Sequence, residues 1–141
     1  MADTNLGFRW RGTRSGAPMT WQEFTFKDTE TLHKGDIANL ESGEVDLGAT
    51  NDTGFVGMVL ETKAGTDSTT TIQVTTNVDA IFGVYDANAR KIGDTLDLSG
   101  ATGAQTVAAS SNVDFVVVAN SAADEETLVS FAPGEHVTNL D

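Results

Sequence analysis

Apolar residues in this chain recur in short runs with a period of two, and polar turns separate the runs. The pattern is most regular between residues 34 and 61, KGDIANLESGEVDLGATNDTGFVGMVLE. Short alternating or continuous apolar runs bounded by turn residues are typical of β-strands, and Gly43 and Gly54 lie where the chain must reverse tightly. The strands predicted here are Asp36–Leu40, Glu44–Leu47 and Phe55–Glu61.

The same pattern continues on both sides of this stretch. No segment keeps apolar residues at i, i+3 and i+4 over three turns, and turn residues recur about every eight to twelve positions, as in β-sandwiches and barrels. We therefore predict an all-β protein, a small single-domain barrel or sandwich. Where the apolar parity changes between Trp21 and Phe24, we expect either a bulge near Gln22-Glu23 or a strand with both faces covered. The further strands predicted are Met19–Lys27, Thr69–Thr76, Asp79–Tyr85, Thr95–Leu98, Gln105–Ala108, Val113–Asn120 and Thr127–Phe131.

The N-terminal residues have a different composition, rich in Gly and small polar residues, that cannot form a core of its own. We predict an extended N-terminal arm over residues 1–18, followed by a β-domain over residues 19–141. In an extended backbone Leu6, Phe8 and Trp10 share one side and the arginines the other, and Arg, Trp and Phe are enriched in interfaces. We expect the arm to dock on a partner or a neighbouring subunit; an N-terminal strand packed on its own domain and plain disorder are the alternatives. The predicted partner-binding residues are Leu6, Phe8, Arg9, Trp10, Arg11 and Arg14.

The length of 141 residues suits one domain of ordinary size. The sequence has no cysteine, which excludes a disulfide framework and a thiolate metal site. No apolar run approaches the roughly 20 residues of a membrane span, and residues 1–12 lack the apolar centre of a secretory signal. We expect a soluble protein made in a cytoplasm, with no membrane as partner.

The formal net charge of −13 is unevenly distributed along the chain. Residues 1–14 carry three arginines and one aspartate, whereas the remaining residues carry five basic and twenty acidic side chains. An acidic body repels nucleic acid and keeps a protein soluble, so we expect no nucleic-acid partner. The same acidity can also reflect a saline habitat rather than a function.

Residues with catalytic or metal-binding chemistry are few. His33 and His136 are the two histidines, and neither lies in a nucleophile motif. Acidic pairs such as Asp94 with Asp97, or the run at 124–126, could in principle bind Ca²⁺, but neither matches a calcium loop, and a solvated acidic turn is favoured. Glycine-rich phosphate loops are also absent from the sequence. The sequence therefore predicts a protein that is not an enzyme and has no metal and no cofactor.

Four segments resemble bacteriophage head decoration (cement) proteins: Lys34-Gly35-Asp36-Ile37, Phe55–Glu61, Ile92–Leu98 and Phe131–His136. The resemblance implies a small β-tulip-like domain on the outer surface of an icosahedral head, often as a homotrimer at local three-fold positions. It also implies an N-terminal arm that clamps adjacent major capsid protein subunits. On this resemblance we expect a structural protein of the virion, made in the host cytoplasm, that stabilises the capsid and has no catalytic residues.

Two other functions are compatible with the residues. A carbohydrate- or cell-surface-binding module carried on a virion would use an aromatic ring of Trp10, Trp21 or Tyr85 to stack on a sugar. An enzyme of the trimeric β-barrel type would depend on His33 or His136.

Overall fold

The structure is a computed structural model, and it describes residues 7–27, 30–49, 52, 54–66, 70–109, 113–133 and 135–136. Within these residues the chain forms thirteen β-strands in three sheets, which confirms the all-β prediction. The arrangement is sandwich-like, and neither of the larger sheets closes into a barrel within the described ranges. The strands are β1 (Phe8–Thr13), β2 (Trp21–Phe26), β3 (Thr31–Leu32), β4 (Ile37–Glu41), β5 (Glu44–Leu47), β6 (Phe55–Met58), β7 (Lys63–Ala64), β8 (Thr71–Thr75), β9 (Ala80–Asp86), β10 (Thr95–Ser99), β11 (Thr106–Ala109), β12 (Phe115–Val117) and β13 (Glu125–Phe131).

Two curled sheets contain most of these strands. The six-stranded sheet has the order β1-β9-β13-β12-β10-β11, and the five-stranded sheet has the order β6-β4-β5-β2-β8. Strands β3 and β7 form a small third sheet. Every pairing is antiparallel except that of β2 with β5, which is parallel. The edges of the five-stranded sheet approach each other where Val59 bridges Val74.

Hydrophobic residues pack on both faces of β4 and β6. Ile37 and Phe55 belong to a first core between the two large sheets, while their neighbours Ala38 and Val56 belong to a second core inside the curled five-stranded sheet. Successive side chains of a strand point to opposite faces, so a strand that is covered on both faces needs an uninterrupted apolar run. This explains why all four residues of β6 are buried.

Five phenylalanines form a connected aromatic cluster in the first core. Phe8 stacks on Phe115 with ring centroids 5.3 Å apart, and Phe115 stacks on Phe131 at 5.5 Å. Phe131 also stacks on Phe55 at 5.7 Å and meets the edge of Phe82 at 5.5 Å. Each such pair adds about 0.5–1.5 kcal/mol beyond the burial of its surface. The cluster therefore holds the N-terminal strand, the middle of the chain and the last strand together.

The structure corrects the prediction of a separate N-terminal arm. Residues 8–13 form β1, which pairs with β9 in the register Phe8 with Val84 and Arg9 with Gly83. Phe8 is only 3% exposed. The alternation that predicted one apolar side for docking is also the pattern of a strand with one face on its own core. The alternative of an N-terminal strand packed on its own domain is the one that the structure contains for these residues, whereas Leu6 lies outside the described residues.

Residues 14–18 have no regular structure but are bound to the domain. The backbone N–H of Arg14 donates to the Asp79 carbonyl oxygen at 2.9 Å, and the N–H of Ser15 donates to the Asp79 carboxylate at 3.0 Å. The side-chain amide of Asn77 donates to the Pro18 carbonyl oxygen at 3.1 Å. The connection from β1 to β2 therefore follows the turn before β9.

A second correction concerns the second strand, for which the sequence predicts either a bulge or coverage of both faces. β2 pairs with β8 without interruption from Trp21 to Thr25, and the register instead shifts in β1, between Trp10 and Gly12. The parity change at Trp21 has another cause, since this side chain is 52% exposed while Phe24 is buried. An aromatic residue on the solvent side of a strand gives the same sequence pattern as a bulge.

A buried carboxylate fixes the turn before β4. Asp36 is fully buried, and its carboxylate accepts hydrogen bonds from the His33 N–H at 2.8 Å, the Thr102 hydroxyl at 2.6 Å and the Gly103 N–H at 2.8 Å. These charge-assisted bonds tie the 33–36 turn to the loop between β10 and β11. The same turn presents the Gly35 carbonyl oxygen to the N–H of Phe8 at 2.8 Å, so it also fixes the start of β1.

The C-terminal end of the described chain lies against β6. His136 bridges Phe55 in parallel, and its Nε2–H donates to the Val56 carbonyl oxygen at 2.8 Å. Burial lowers the pKa of His136, and the hydrogen bond to the Val56 carbonyl only partly opposes this effect. The folded protein therefore holds this imidazole in its neutral form at neutral pH.

We expect Phe8→Ala to lower the free energy of unfolding by about 3–5 kcal/mol, because it removes a buried ring from the aromatic cluster. Ile92→Ala is the matched control, since Ile92 is 66% exposed, and it should change stability by less than about 0.5 kcal/mol. Urea denaturation measures the free energy of unfolding of both variants. Equal stability of wild type and Phe8→Ala would contradict the placement of β1 in the core.

The free energy of unfolding should also decrease as the pH is lowered, because His136 is protonated more readily in the unfolded chain. The unfolded chain binds a proton on this imidazole near pH 6.5, whereas the folded chain binds it only at lower pH. Full stability is therefore present above about pH 6.5 and is lost as the pH decreases below it. Between pH 7.5 and 5.5 the free energy of unfolding of wild type should decrease more steeply than that of His136→Gln, since the two proteins share their other titrating groups. Parallel profiles would show that His136 does not contribute to the pH dependence of stability.

Candidate functional site

A groove runs along the edge of β1. Its volume is about 470 Å³, and its lining residues are Phe8, Arg9, Trp10, Met19, Lys34, Met58 and Leu60. Three consecutive residues of β1 line it, although successive side chains of a strand point to opposite faces. The groove must therefore follow the edge of the strand rather than one face of the sheet. This agrees with the position of β1 as an outer strand of the six-stranded sheet.

The backbone of β1 is oriented toward this groove at Trp10. The Phe8 N–H donates to Gly35, away from the partner strand β9. Because the hydrogen-bonding direction alternates from residue to residue in an antiparallel strand, the N–H and C=O of Trp10 point to the same side as those of Phe8. The 33–36 turn covers the edge at Phe8, and the groove opens immediately after it.

The walls of the groove are apolar, and the two charged side chains that line it are cationic. Met19, Met58 and Leu60 provide aliphatic surface, while Arg9 and Lys34 are the charged residues among those that line it. Lys34 is exposed and forms no ion pair with any residue that the structure describes. These cationic lining residues contrast with the net charge of −13 of the whole chain.

An ion-pair cluster holds the arginines of β1 on the outer face of the sheet. Arg11 donates from Nε and Nη2 to the two carboxylate oxygens of Glu126 at 2.8 and 2.7 Å, and Arg9 lies 3.6 Å from the same carboxylate. Bidentate pairs of this kind fix the guanidinium plane. The hydrogen bonds from Arg11 lower the pKa of Glu126 and raise that of Arg11.

Gly83 makes room for this cluster. It lies opposite Arg9 on β9, and a Cβ atom there would be 2.3 Å from the carboxyl carbon of Glu126. Any other residue would push the carboxylate off the sheet. The arrangement therefore depends on the absence of a side chain at this position.

The predicted binding residues are thus only partly brought together. Arg9 and Trp10 line the groove, Arg11 pairs with Glu126 beside it, and Phe8 forms its buried floor. Arg14 lies elsewhere, at a cleft of about 240 Å³ that also contains His136 and Phe131. The predicted residue Leu6 lies outside the described part of the chain.

Four groove residues were missed from the sequence: Met19, Lys34, Met58 and Leu60. Residues 34–36 lie at the start of the predicted strand Asp36–Leu40, but a local motif does not reveal which distant strand it packs against. Met19 is the first residue of one predicted strand and Leu60 lies near the end of another, and neither position indicates a groove. Their role depends entirely on the tertiary contact between β1 and the end of β6.

The other candidate residues occupy separate places. His33 Nδ1 lies 2.9 Å from the Thr102 hydroxyl, whereas His136 is buried against β6. Trp21 is exposed at the start of β2, and the Tyr85 hydroxyl donates to Asp124 at 2.7 Å. Among the described residues there is no group of three His, Asp or Glu side chains that could hold a metal ion. Nor does that part of the chain contain a helix that is long and apolar enough to cross a membrane.

No protein-family model and no curated protein matches the sequence. Among solved structures, the chain is similar to the head fiber gp8.5 N base of bacteriophage phi29, with a TM-score of 0.51. The similarity covers 82% of this chain and 98% of the phi29 chain, at 16% sequence identity. At this level of identity the two proteins share a fold, and the likeness describes architecture rather than function.

Proposed function

We propose that this chain is a structural protein of a phage virion that binds the outer surface of an assembled head. In this role it is a decoration (cement) protein, and its partner is the major capsid protein. The observation that carries the proposal is the groove along β1, where apolar surface and two cations interrupt an acidic exterior. The shared fold with the base of a phage head fiber supports the same assignment.

Docking through this face requires little ordering of the protein. β1 is fixed by the aromatic cluster, and Arg11 is fixed by Glu126. A preorganised surface loses less conformational entropy on binding than a flexible arm does. A protein that binds only the assembled lattice also shifts the assembly equilibrium toward it. Many copies on one shell would therefore stabilise the joints between capsid subunits.

We also propose that the protein has no catalytic activity. The Nε2–H of His136 is bound to a backbone carbonyl inside the protein, and Nδ1 of His33 contacts the Thr102 hydroxyl that is bound to Asp36. These contacts join segments of the fold, which accounts for both histidines without a substrate.

A second candidate function is carbohydrate or cell-surface binding. The observation in its favour is Trp21, whose large ring is 52% exposed at the start of β2. Aromatic rings with one solvent-facing side are typical of sugar-stacking platforms. This function and capsid binding use different tryptophans, which makes them separable by single substitutions.

Trp10→Ala should weaken binding to heads about tenfold or more, because truncating an aromatic residue at the centre of an interface typically costs over 1 kcal/mol. The measurement is co-sedimentation with heads assembled from the major capsid protein of the encoding phage. Trp21→Ala is the matched control and should leave this binding unchanged. If Trp21→Ala, but not Trp10→Ala, abolished binding to heads, the proposed docking face would be wrong. If Trp21→Ala abolished binding to a glycan array, the second function would be favoured.

We further propose that the protein is a homotrimer on the head. Sedimentation equilibrium of the purified chain should give three times the mass of one chain. The same measurement on copies that have been released from heads distinguishes a trimer that forms before docking from one that forms only on the capsid surface. A monomer in both samples would contradict the trimer.

A further inference from the structure

We propose that the groove along β1 binds an extended acidic segment of the partner, which adds to the sheet as a further strand. This inference rests on the proposed function and specifies the chemistry of the partner at that site. The bound segment would place one large apolar side chain in the groove, with a carboxylate on each side of it.

The edge of β1 supplies the hydrogen bonds. Phe8 is already bound to Gly35, but the N–H and C=O of Trp10 point along the same edge into the groove. An extended segment that lies here can exchange backbone hydrogen bonds with Trp10, as in other cases of strand addition. Neither a sugar nor a nucleic-acid backbone offers the regular pattern of donors and acceptors that a strand edge pairs with.

The floor and walls of the groove supply the apolar contact. Trp10 is half-buried, and Met19, Met58 and Leu60 surround the same space. Its volume of about 470 Å³ lies in the usual range for sites that enclose a ligand group. Methionine side chains adapt to the shape of an inserted group, so the groove suits Leu, Met or Phe rather than one fixed side chain.

The charges select an acidic segment. Arg9 lines the groove while it also pairs with Glu126 at 3.6 Å, with its side chain 40% exposed, and Lys34 lines the groove from the turn that covers the start of β1. The rest of the surface is dominated by Asp and Glu, which repel an acidic segment everywhere else. Complementary charge therefore directs the segment to this groove and fixes its position along β1.

The test uses a synthetic peptide, acetyl-Thr-Glu-Thr-Leu-Thr-Asp-Thr-amide, in which the two acids and the leucine share one face of an extended strand. The protein is the full chain with Trp21→Phe, so that Trp10 is its one tryptophan and reports binding by fluorescence. One control peptide replaces both acids by lysine. In another control peptide, proline replaces the threonines on either side of leucine, which removes the backbone N–H donors at those two positions.

Two lysines provide matched protein variants. Lys34 and Lys91 are both exposed and lie in similar turns, in which the carboxylates of Asp36 and Asp94 accept the backbone N–H of His33 and of Lys91. Lys34→Glu and Lys91→Glu change the net charge equally, but only Lys34 lines the groove. Thermal melts of both variants establish that each remains folded.

The acidic peptide should bind saturably, and the lysine and proline peptides should bind at least about tenfold more weakly. Lys34→Glu should weaken binding of the acidic peptide about fivefold or more, and Lys91→Glu less than twofold. Absence of saturable binding, equal binding of a control peptide, or equal effects of the two lysine variants would overturn the inference. Head binding without peptide binding would refute only this inference, whereas peptide binding without head binding would refute the proposed function.

Discussion

The packing of Phe8 against Phe115 is the contact on which the rest of this structure depends. It brings the first strand into the same aromatic cluster as β6, β12 and β13. Burial of a phenylalanine ring contributes about 2–3 kcal/mol, a large part of the net stability of a small domain. This contact converts an N-terminal segment that carries arginines into a fixed edge strand of the sheet.

A fixed β1 gives the protein a surface that is defined before any partner arrives. The cations on this strand are held over Glu126, and the edge of the strand faces an apolar groove. A flexible arm with the same residues would have to lose its conformational freedom on docking, which opposes affinity. The fold thus buries Phe8 in the core and leaves Trp10 and Arg9 beside it partly exposed.

Charge has two roles in this molecule. The acidic exterior repels other acidic surfaces, while the two charged residues that line the groove are cations. Inside the fold, the buried carboxylate of Asp36 is stabilised by three hydrogen bonds, and it determines the turn that carries Lys34. One buried acid therefore positions one of the two cations of the proposed site.

The sequence by itself determined the all-β class and the approximate position of most strands, because alternation and turn chemistry are local properties. It also showed the uneven charge and the unusual first eighteen residues. Only the tertiary structure decided that Phe8 lies in the protein's own core, since a strand has the same pattern whether its neighbour belongs to the same chain or to another. The parallel pairing of β2 with β5 and the meeting of Trp10, Lys34 and Leu60 in one groove were likewise decided by long-range packing, which no local pattern of residues encodes.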